Sequence, residues 1–410
     1  MIENKKKNLN QIIFFLLIFF LLIFILYTDT IYLINSLNGN IEAAKNYIFE
    51  DWRFIFNTIE CKALGHDITK VNPCDELGRL WWGDNIQFYI PYFKNFDFFY
   101  LSILPWLQIL IFFYILFKIF NTEKNIIKLL IFFIIFSPQT LLLISRMNND
   151  MLIFILIYFI ILKNNNYINT IIVSYISLTK FYPIIFSVIF FLNDEKLKKN
   201  LLFLFITITF FITFLFFTLD YSQMESFFEH RAQLYGKSLR NFSIIASAKY
   251  YSITYSQVGF YKQIEVLLIL LILFLIISLA TYYFITKSVK FSFDIKNLNF
   301  RLFVLGANII VIVYLIFQNT FYREIYLIFV IPFILQYYND SYFFRFFFYL
   351  ILTKYFFGIL QSILFPIIGT IPNIVILKMI LDFLVISSLS GILVYINLII
   401  IREKIPYFKS

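Results

Sequence analysis

Twelve stretches of nearly unbroken apolar sequence recur along this chain, and a water-soluble fold has no interior for so many. They fall near 11–27, 98–120, 126–144, 151–162, 167–179, 182–192, 201–219, 264–286, 302–317, 325–338, 343–363 and 374–401. A run of about 20 apolar residues crosses the hydrocarbon of a bilayer as a helix. Helices satisfy their own backbone hydrogen bonds there. The pattern therefore predicts an all-α, polytopic integral membrane protein with about twelve passes. Mean hydropathy is +0.82, and charged residues are 14% of the chain, against about a quarter in soluble domains. The 57 Phe and 29 Tyr read first as a biased coding composition, ahead of aromatic belts or base-stacking platforms.

The runs 167–179 and 182–192 are each too short to span alone, so the pair is drawn as a hairpin. Its tip is Lys180-Phe181-Tyr182-Pro183. A broken helix at membrane depth is tolerated only against protein or a wet cavity.

Charge orients the chain. Lys5-Lys6-Lys7 precede the first span, which places the N-terminus in the cytoplasm. Eighteen basic and seven acidic residues then fall on cytoplasmic segments, against fourteen and sixteen on outer ones, with Lys354, Lys378 and Asp382 inside spans. This asymmetry accounts for the net charge of +10 and puts both termini in the cytoplasm. The basic residues are spread over many short loops, so nucleic-acid binding is not expected. No small-residue cleavage site follows the first span, which reads as an uncleaved anchor. The expected location is a bacterial inner membrane. With no internal repeat and no linker, residues 1–410 read as one membrane-embedded domain.

Two outer loops are long, 28–97 and 220–263. The first holds most of the recognisable chemistry: Glu50-Asp51-Trp52-Arg53, Cys61, Asp67, Asn72-Pro73-Cys74-Asp75 and Arg79. Asn40 to Leu64 is predicted as a helix along the interface, with Ile48, Phe49, Trp52, Phe56 and Ile59 on its apolar face. Cys61 and Cys74 share this oxidising side, and a disulfide is expected, contributing about 3 kcal/mol in the chain-entropy model. Two cysteines and His66 are too few for a metal centre, and neither metal nor cofactor is expected.

Polar groups at membrane depth are costly and draw functional hypotheses. Asp51, with Asp29 as a rival at the mouth of the first span, suits a general base acting on a sugar hydroxyl. The alternative for Asp51 is a solvated acid or a partner for Arg53. In the turn Arg146-Met147-Asn148-Asn149-Asp150, Arg146 suits a lipid phosphate, or snorkels to ordinary headgroups, and Asn149 and Asp150 are candidate substrate contacts beside it, or serve only the backbone of the turn. Lys180 and Tyr182 on the hairpin tip suit a phosphate leaving group, or Lys180 merely answers a helix C-terminus. Tyr322 and Arg323 suit a further phosphate contact, unless Arg323 simply pairs with Glu324 or a distant carboxylate. His230 in the second long loop is a further candidate substrate contact, or else an ordinary exposed histidine.

These motifs resemble the polytopic glycosyltransferases of the GT-C class, in particular family 87, the polyprenyl-phosphate-mannose-type transferases and their uncharacterised bacterial relatives. The similar parts are Asp51-Trp52-Arg53, Gly65-His66-Asp67 through Asp75, Arg146 to Asp150, Leu178 to Pro183, and Tyr322-Arg323-Glu324 leading to Ile331-Pro332. Each motif is short, and the likeness covers most of the chain from about 10 to 340. Met147 stands where a small, glycine-like residue would be usual. The resemblance implies transfer of a sugar from a polyprenyl-phosphate donor to a glycan or glycolipid acceptor on the outer side, with inversion. Asp51 would be the base, and Arg146, Lys180 and Arg323 the phosphate contacts. A secondary transporter or lipid-linked-sugar flippase is the rival class. It calls for two similar halves, a long central cytoplasmic loop and paired broken helices, none of which the sequence has.

Overall fold

The computed structural model describes residues 2–27, 48–75, 78–81, 93–120, 125–163, 165–180, 182–193, 197–218, 244, 247–248, 260–288, 294–316, 321–368 and 372–404. Every regular element among them is helical. In chain order they are α1 (Ile2–Tyr27), α2 (Glu50–Ala63), a short 3-10 turn (Lys94–Phe96), a π-helical stretch (Phe99–Ile103) running into α3 (Leu104–Ile119), α4 (Asn125–Ile135), α5 (Pro138–Arg146), α6 (Asn149–Lys163) and α7 (Asn166–Thr179). A 3-10 helix (Tyr182–Leu192), α8 (Leu197–Thr218), α9 (Phe260–Ser288) and α10 (Leu298–Ile316) follow. A further 3-10 helix (Phe321–Tyr326), α11 (Leu327–Gln336), α12 (Tyr342–Ile368) and α13 (Pro372–Lys404) complete the order.

Each predicted apolar run coincides with one or two of these elements, but they do not all have the length of a span. Seven helices among the described residues are long and apolar enough to cross a membrane, and the α4–α5 pair, bent by 53°, makes an eighth if counted as one. The bend has a local cause. Pro138 opens α5, and the Ser137 hydroxyl caps it by accepting from the Thr140 N–H. The remaining runs are shorter: α6 has 15 residues, about 22 Å at 1.5 Å per residue, and α7 has 14. The hairpin is formed by α7 and the 3-10 helix Tyr182–Leu192, which pack on each other.

The elements sort by what surrounds them. Helix α10 is buried around most of its circumference and packs against α11, α13 and the 3-10 helices Tyr182–Leu192 and Phe321–Tyr326, as a helix in the middle of a bundle must. Gly306 makes that packing close: a Cβ there would lie 2.8 Å from the Tyr326 carbonyl and 2.8 Å from Phe329 Cβ. The turn 321–326 is thereby pressed onto α10. By contrast, α9 exposes Leu268, Ile269, Ile272, Leu275, Ile276 and Leu279, a surface suited to lipid tails.

Helix α2 departs from its predicted form. It begins at Glu50 because Phe49 takes the left-handed conformation, φ 67°, which ends a helical run before it starts. Residues 40–47 of the expected helix lie outside those described. Trp52 and Phe56 of the predicted apolar face are buried, together with Ile55, Thr58 and Cys61. The helix therefore packs against protein, α5 in particular, rather than lying as an independent interfacial segment. Cys61 and Cys74 are joined as a disulfide, Cα to Cα 5.5 Å.

Candidate functional site

The site is built where the ends of three helical connections meet. Helix α5 stops at Met147, which turns left-handed with φ 47°. The Met147 and Asn148 N–H groups donate back to the carbonyls of Ile144 (3.1 Å) and Leu143 (3.3 Å), a closure that normally uses glycine. The small residue expected at this place has this reason. Met147 is fully buried, and its side chain is retained at the cost of about 1–2 kcal/mol of backbone strain. Phe49 is the other non-glycine residue with positive φ among the described residues, and its N–H donates to the Ser145 carbonyl at 2.6 Å. Two strained residues thus fasten the start of α2 to the end of α5.

That fastening brings Asp51 to Arg146. Asp51 Oδ1 accepts from Arg146 Nε at 3.0 Å and Nη2 at 2.7 Å, and Oδ2 accepts from Asn148 Nδ2 at 2.7 Å. Arg79 adds a contact at 3.4 Å. The ionic partners of Asp51 are therefore Arg146 and Arg79, while Arg53 donates to the Ile48 carbonyl. Asp51 is not a freely solvated acid, and Arg146 is tied to a carboxylate rather than left to snorkel. Burial pushes the Asp51 carboxyl up, but Arg146 and the hydrogen bonds from Arg146 and Asn148 outweigh it and hold it below its usual range. Asp51 is thus ionised at neutral pH. Its neighbour Glu50 goes the other way: burial raises its carboxyl, and Arg146 and Arg79 offset only part of the rise.

Arg79 anchors the outer side of the network. It donates to Asp75 from Nε (3.0 Å) and Nη2 (2.9 Å) and to Glu50 Oε1 from Nη1 (2.9 Å). Asp75 follows the disulfide-bonded Cys74, so the bridge fixes one end of this chain of ion pairs.

Asn148 carries the network inward. Its Oδ1 accepts from the Asp150 N–H (3.2 Å), capping α6, and from Lys180 Nζ (2.5 Å). Lys180 also reaches Asp150 Oδ2 at 2.6 Å. The hairpin tip is therefore docked onto the α5–α6 turn, and Lys180 is engaged by side chains beyond the helix end that it caps. Asp150, fully buried, accepts from the Tyr182 hydroxyl, which lies 3.1 Å from that of Tyr326. Arg323 lies over the Tyr182 ring, 4.3 Å from its centroid. Its Nε is 3.9 Å from Asp150 Oδ2 and makes no hydrogen bond with any described residue.

Asp51, Arg146, Lys180 and Arg323, far apart in sequence, thus belong to one network through Asn148 and Asp150. Asn149 lies apart from its ionic contacts, lining an open cleft with Trp52, Ile55, Phe56, Leu152, Ile153, Tyr175, Ile176 and Thr179. The cleft encloses about 380 Å³ counted out to open solvent. Asp29 and His230 lie outside the described residues, as does the side chain of Tyr322. Of the structural alternatives for Arg323, the pair with Glu324 does not form, while a distant carboxylate, Asp150, stands at ion-pair distance, 3.9 Å. Glu324 turns the other way, to Lys354 and Lys378. Among the described residues no group of three or more His, Cys, Asp or Glu side chains is placed to hold a metal ion.

Sequence reasoning passed over Asn148, Tyr326 and the roles of Glu50, Asp75 and Arg79. Asn148 has the chemistry of a helix cap, which conceals a second use; Arg79 stands in a loop whose folding no local pattern reveals. Searches of the chain against family models, curated proteins and solved structures give no match.

Proposed function

We propose that this chain is a membrane glycosyltransferase of GT-C type that moves a sugar from a polyprenyl-phosphate donor to an acceptor hydroxyl on the outer face. The observation that carries it is the meeting of an ionised carboxylate, Asp51, with three cations from separate connections: Arg146 touches Asp51 at 2.7 Å, Lys180 shares Asn148 with it, and Arg323 borders the same Asp150. A reaction that takes a proton from one side of an anomeric carbon and releases a phosphate on the other needs those two kinds of group within one site.

In this mechanism the acceptor hydroxyl gives its proton to Asp51 as its oxygen bonds to the anomeric carbon. The bond from that carbon to the phosphate oxygen breaks with its electron pair, the configuration inverts, and the lipid phosphate leaves carrying the negative charge. Arg146, Lys180 and Arg323 answer that charge. An arriving phosphate competes with Asp51 for Arg146, and a carboxylate relieved of its guanidinium is a stronger base. The resting ion pair and the catalytic role are in this way successive states of one contact. The acceptor is a glycan or glycolipid. The finer architecture belongs to the same proposal: about twelve passes, counting the short elements, both termini in the cytoplasm and residence in a bacterial inner membrane.

The test is release of lipid phosphate by purified protein given a panel of polyprenyl-phosphate sugars and a mixed glycolipid acceptor fraction. Asp51→Asn should lower the rate at least about 10²-fold, the lower end of what a general base supplies. An equally active Asp51→Asn protein would remove Asp51 from the mechanism.

A further inference from the structure

Behind the site lies a second ionic cluster that the proposed reaction does not use. Glu324 is enclosed by two helices: Lys354 of α12 bonds its Oε2, and Lys378 of α13 approaches its Oε1 at 3.3 Å. The same two lysines hold Asp382, at 3.1 Å from Lys354 and 2.8 Å from Lys378. The Tyr355 hydroxyl donates to the Glu324 backbone carbonyl at 3.3 Å. Two acids and two bases make a neutral quartet whose side chains are no more than 6% exposed.

Such a cluster is poorly explained as a source of stability. Taking charges out of water costs about as much as their attraction returns, and apolar residues of the same size would serve burial as well or better. The best-attested use of buried polar and ionic groups is to fix register. Here the element whose register they set is the 3-10 turn Phe321–Tyr326, and the residue before Glu324 is Arg323. Consecutive side chains of a 3-10 helix point about 120° apart. Glu324 accordingly faces the quartet while Arg323 faces Tyr182 and Asp150.

We propose that Glu324, Lys354, Lys378 and Asp382 are positioning residues that hold Arg323 just beyond hydrogen-bond reach of Asp150, so that its donors stay available for an oxyanion. The spacing agrees: Arg323 Nε stops 3.9 Å from Asp150 Oδ2 with no hydrogen bond to a described residue, whereas Lys180 closes on the same oxygen at 2.6 Å. Freed from the quartet, Arg323 would collapse onto Asp150 or swing away from Tyr182. The identity of the oxyanion rests on the proposed function; the positioning does not.

The two are separated by measuring arginine modification with phenylglyoxal on the purified full chain, residue by residue, by peptide mass spectrometry. Glu324→Gln should change the Arg323 rate by roughly tenfold in either direction, the factor that about 1.4 kcal/mol of restraint represents, and leave the Arg146 rate unaltered. A neutral Glu324→Gln/Lys354→Gln pair, which keeps the Lys378–Asp382 contact, should do the same and serves if the single variant does not fold. An unchanged Arg323 rate in a folded variant, or Arg146 and Arg323 changing together, would overturn the positioning role. In the wild type, a polyprenyl monophosphate should protect Arg323. Absence of that protection, with the Glu324→Gln effect intact, would count against the function proposed above and leave the positioning role standing.

Discussion

The cluster around Asp51 and the cluster around Asp382 use the same kinds of group in opposite surroundings. In the first, Arg79, Arg146, Lys180 and Arg323 keep 25%, 22%, 19% and 15% of their side chains exposed, and Asn and Tyr side chains interleave the charges. In the second, the charges face one another with almost no exposed surface; Lys354, Lys378 and Asp382 are carried by long apolar helices, and Glu324 by the 3-10 turn pressed against them. Ion pairs that water can reach exchange partners readily and add little to stability; ion pairs sealed in low dielectric do not exchange, and breaking one strands a charge. The first cluster is suited to receive a ligand, and the second to hold a shape. They meet at Arg323-Glu324, one residue facing each.

The largest expected effect comes from unbalancing the sealed cluster. Lys354→Met leaves Glu324 and Asp382 to share Lys378, and should cost about 3–5 kcal/mol. Arg146→Met in the open cluster leaves Asp51 with Asn148 and Arg79, and should cost about 1 kcal/mol. Thermal unfolding of both variants in one detergent measures the difference. Equal losses would erase the distinction between the clusters.

The open cluster has a covalent substitute for the helices that frame the sealed one. The Cys61–Cys74 bridge ties Asp75, and through it Arg79, to the end of α2. Its removal by Cys61→Ser/Cys74→Ser should cost about 3 kcal/mol in the chain-entropy model. Reductant should likewise speed phenylglyoxal modification of Arg79 while leaving Arg323 unaffected. If Arg323 responds equally, the two clusters are one mechanical unit.

How far these clusters are legible in the sequence depends on what each residue must satisfy. Apolar runs are dictated by the solvent, and all twelve reappear as helical elements. Lys180 is legible because a cation at the tip of a hairpin too short to span has few uses. Asp51 and Arg146 are legible as costly groups, but their contact is not: it depends on Phe49 and Met147 turning left-handed, which nothing in either side chain favours. The sealed quartet shows the opposite failure. Lys354, Lys378 and Asp382 stand out inside apolar spans, yet only the i, i+4 pair Lys378–Asp382 is readable from spacing. Glu324 enters from another element, and adjacency to Arg323 suggests a pairing that the 3-10 turn forbids.

The smallest expected effect is in pH, and it sharpens the contrast within the open cluster itself. The Asp51 carboxyl lies below its ordinary value, so its contribution to stability is present above about pH 4, near the unfolded value, and is lost as pH falls through the lower folded value. The Glu50 carboxyl lies above its ordinary value. Its contribution is complete below the unfolded value of about 4.3 and is lost as pH rises through the higher folded value. On acidification from neutrality, wild-type protein should first gain a little stability as Glu50 protonates, then lose it as Asp51 does. Thermal midpoints across pH 7 to 3 should show Glu50→Gln lacking the gain and Asp51→Asn lacking the later loss. If both substitutions flatten the same part of the profile, the two carboxylates titrate as one unit, and the separate assignment of an ionised Asp51 beside a burial-raised Glu50 fails.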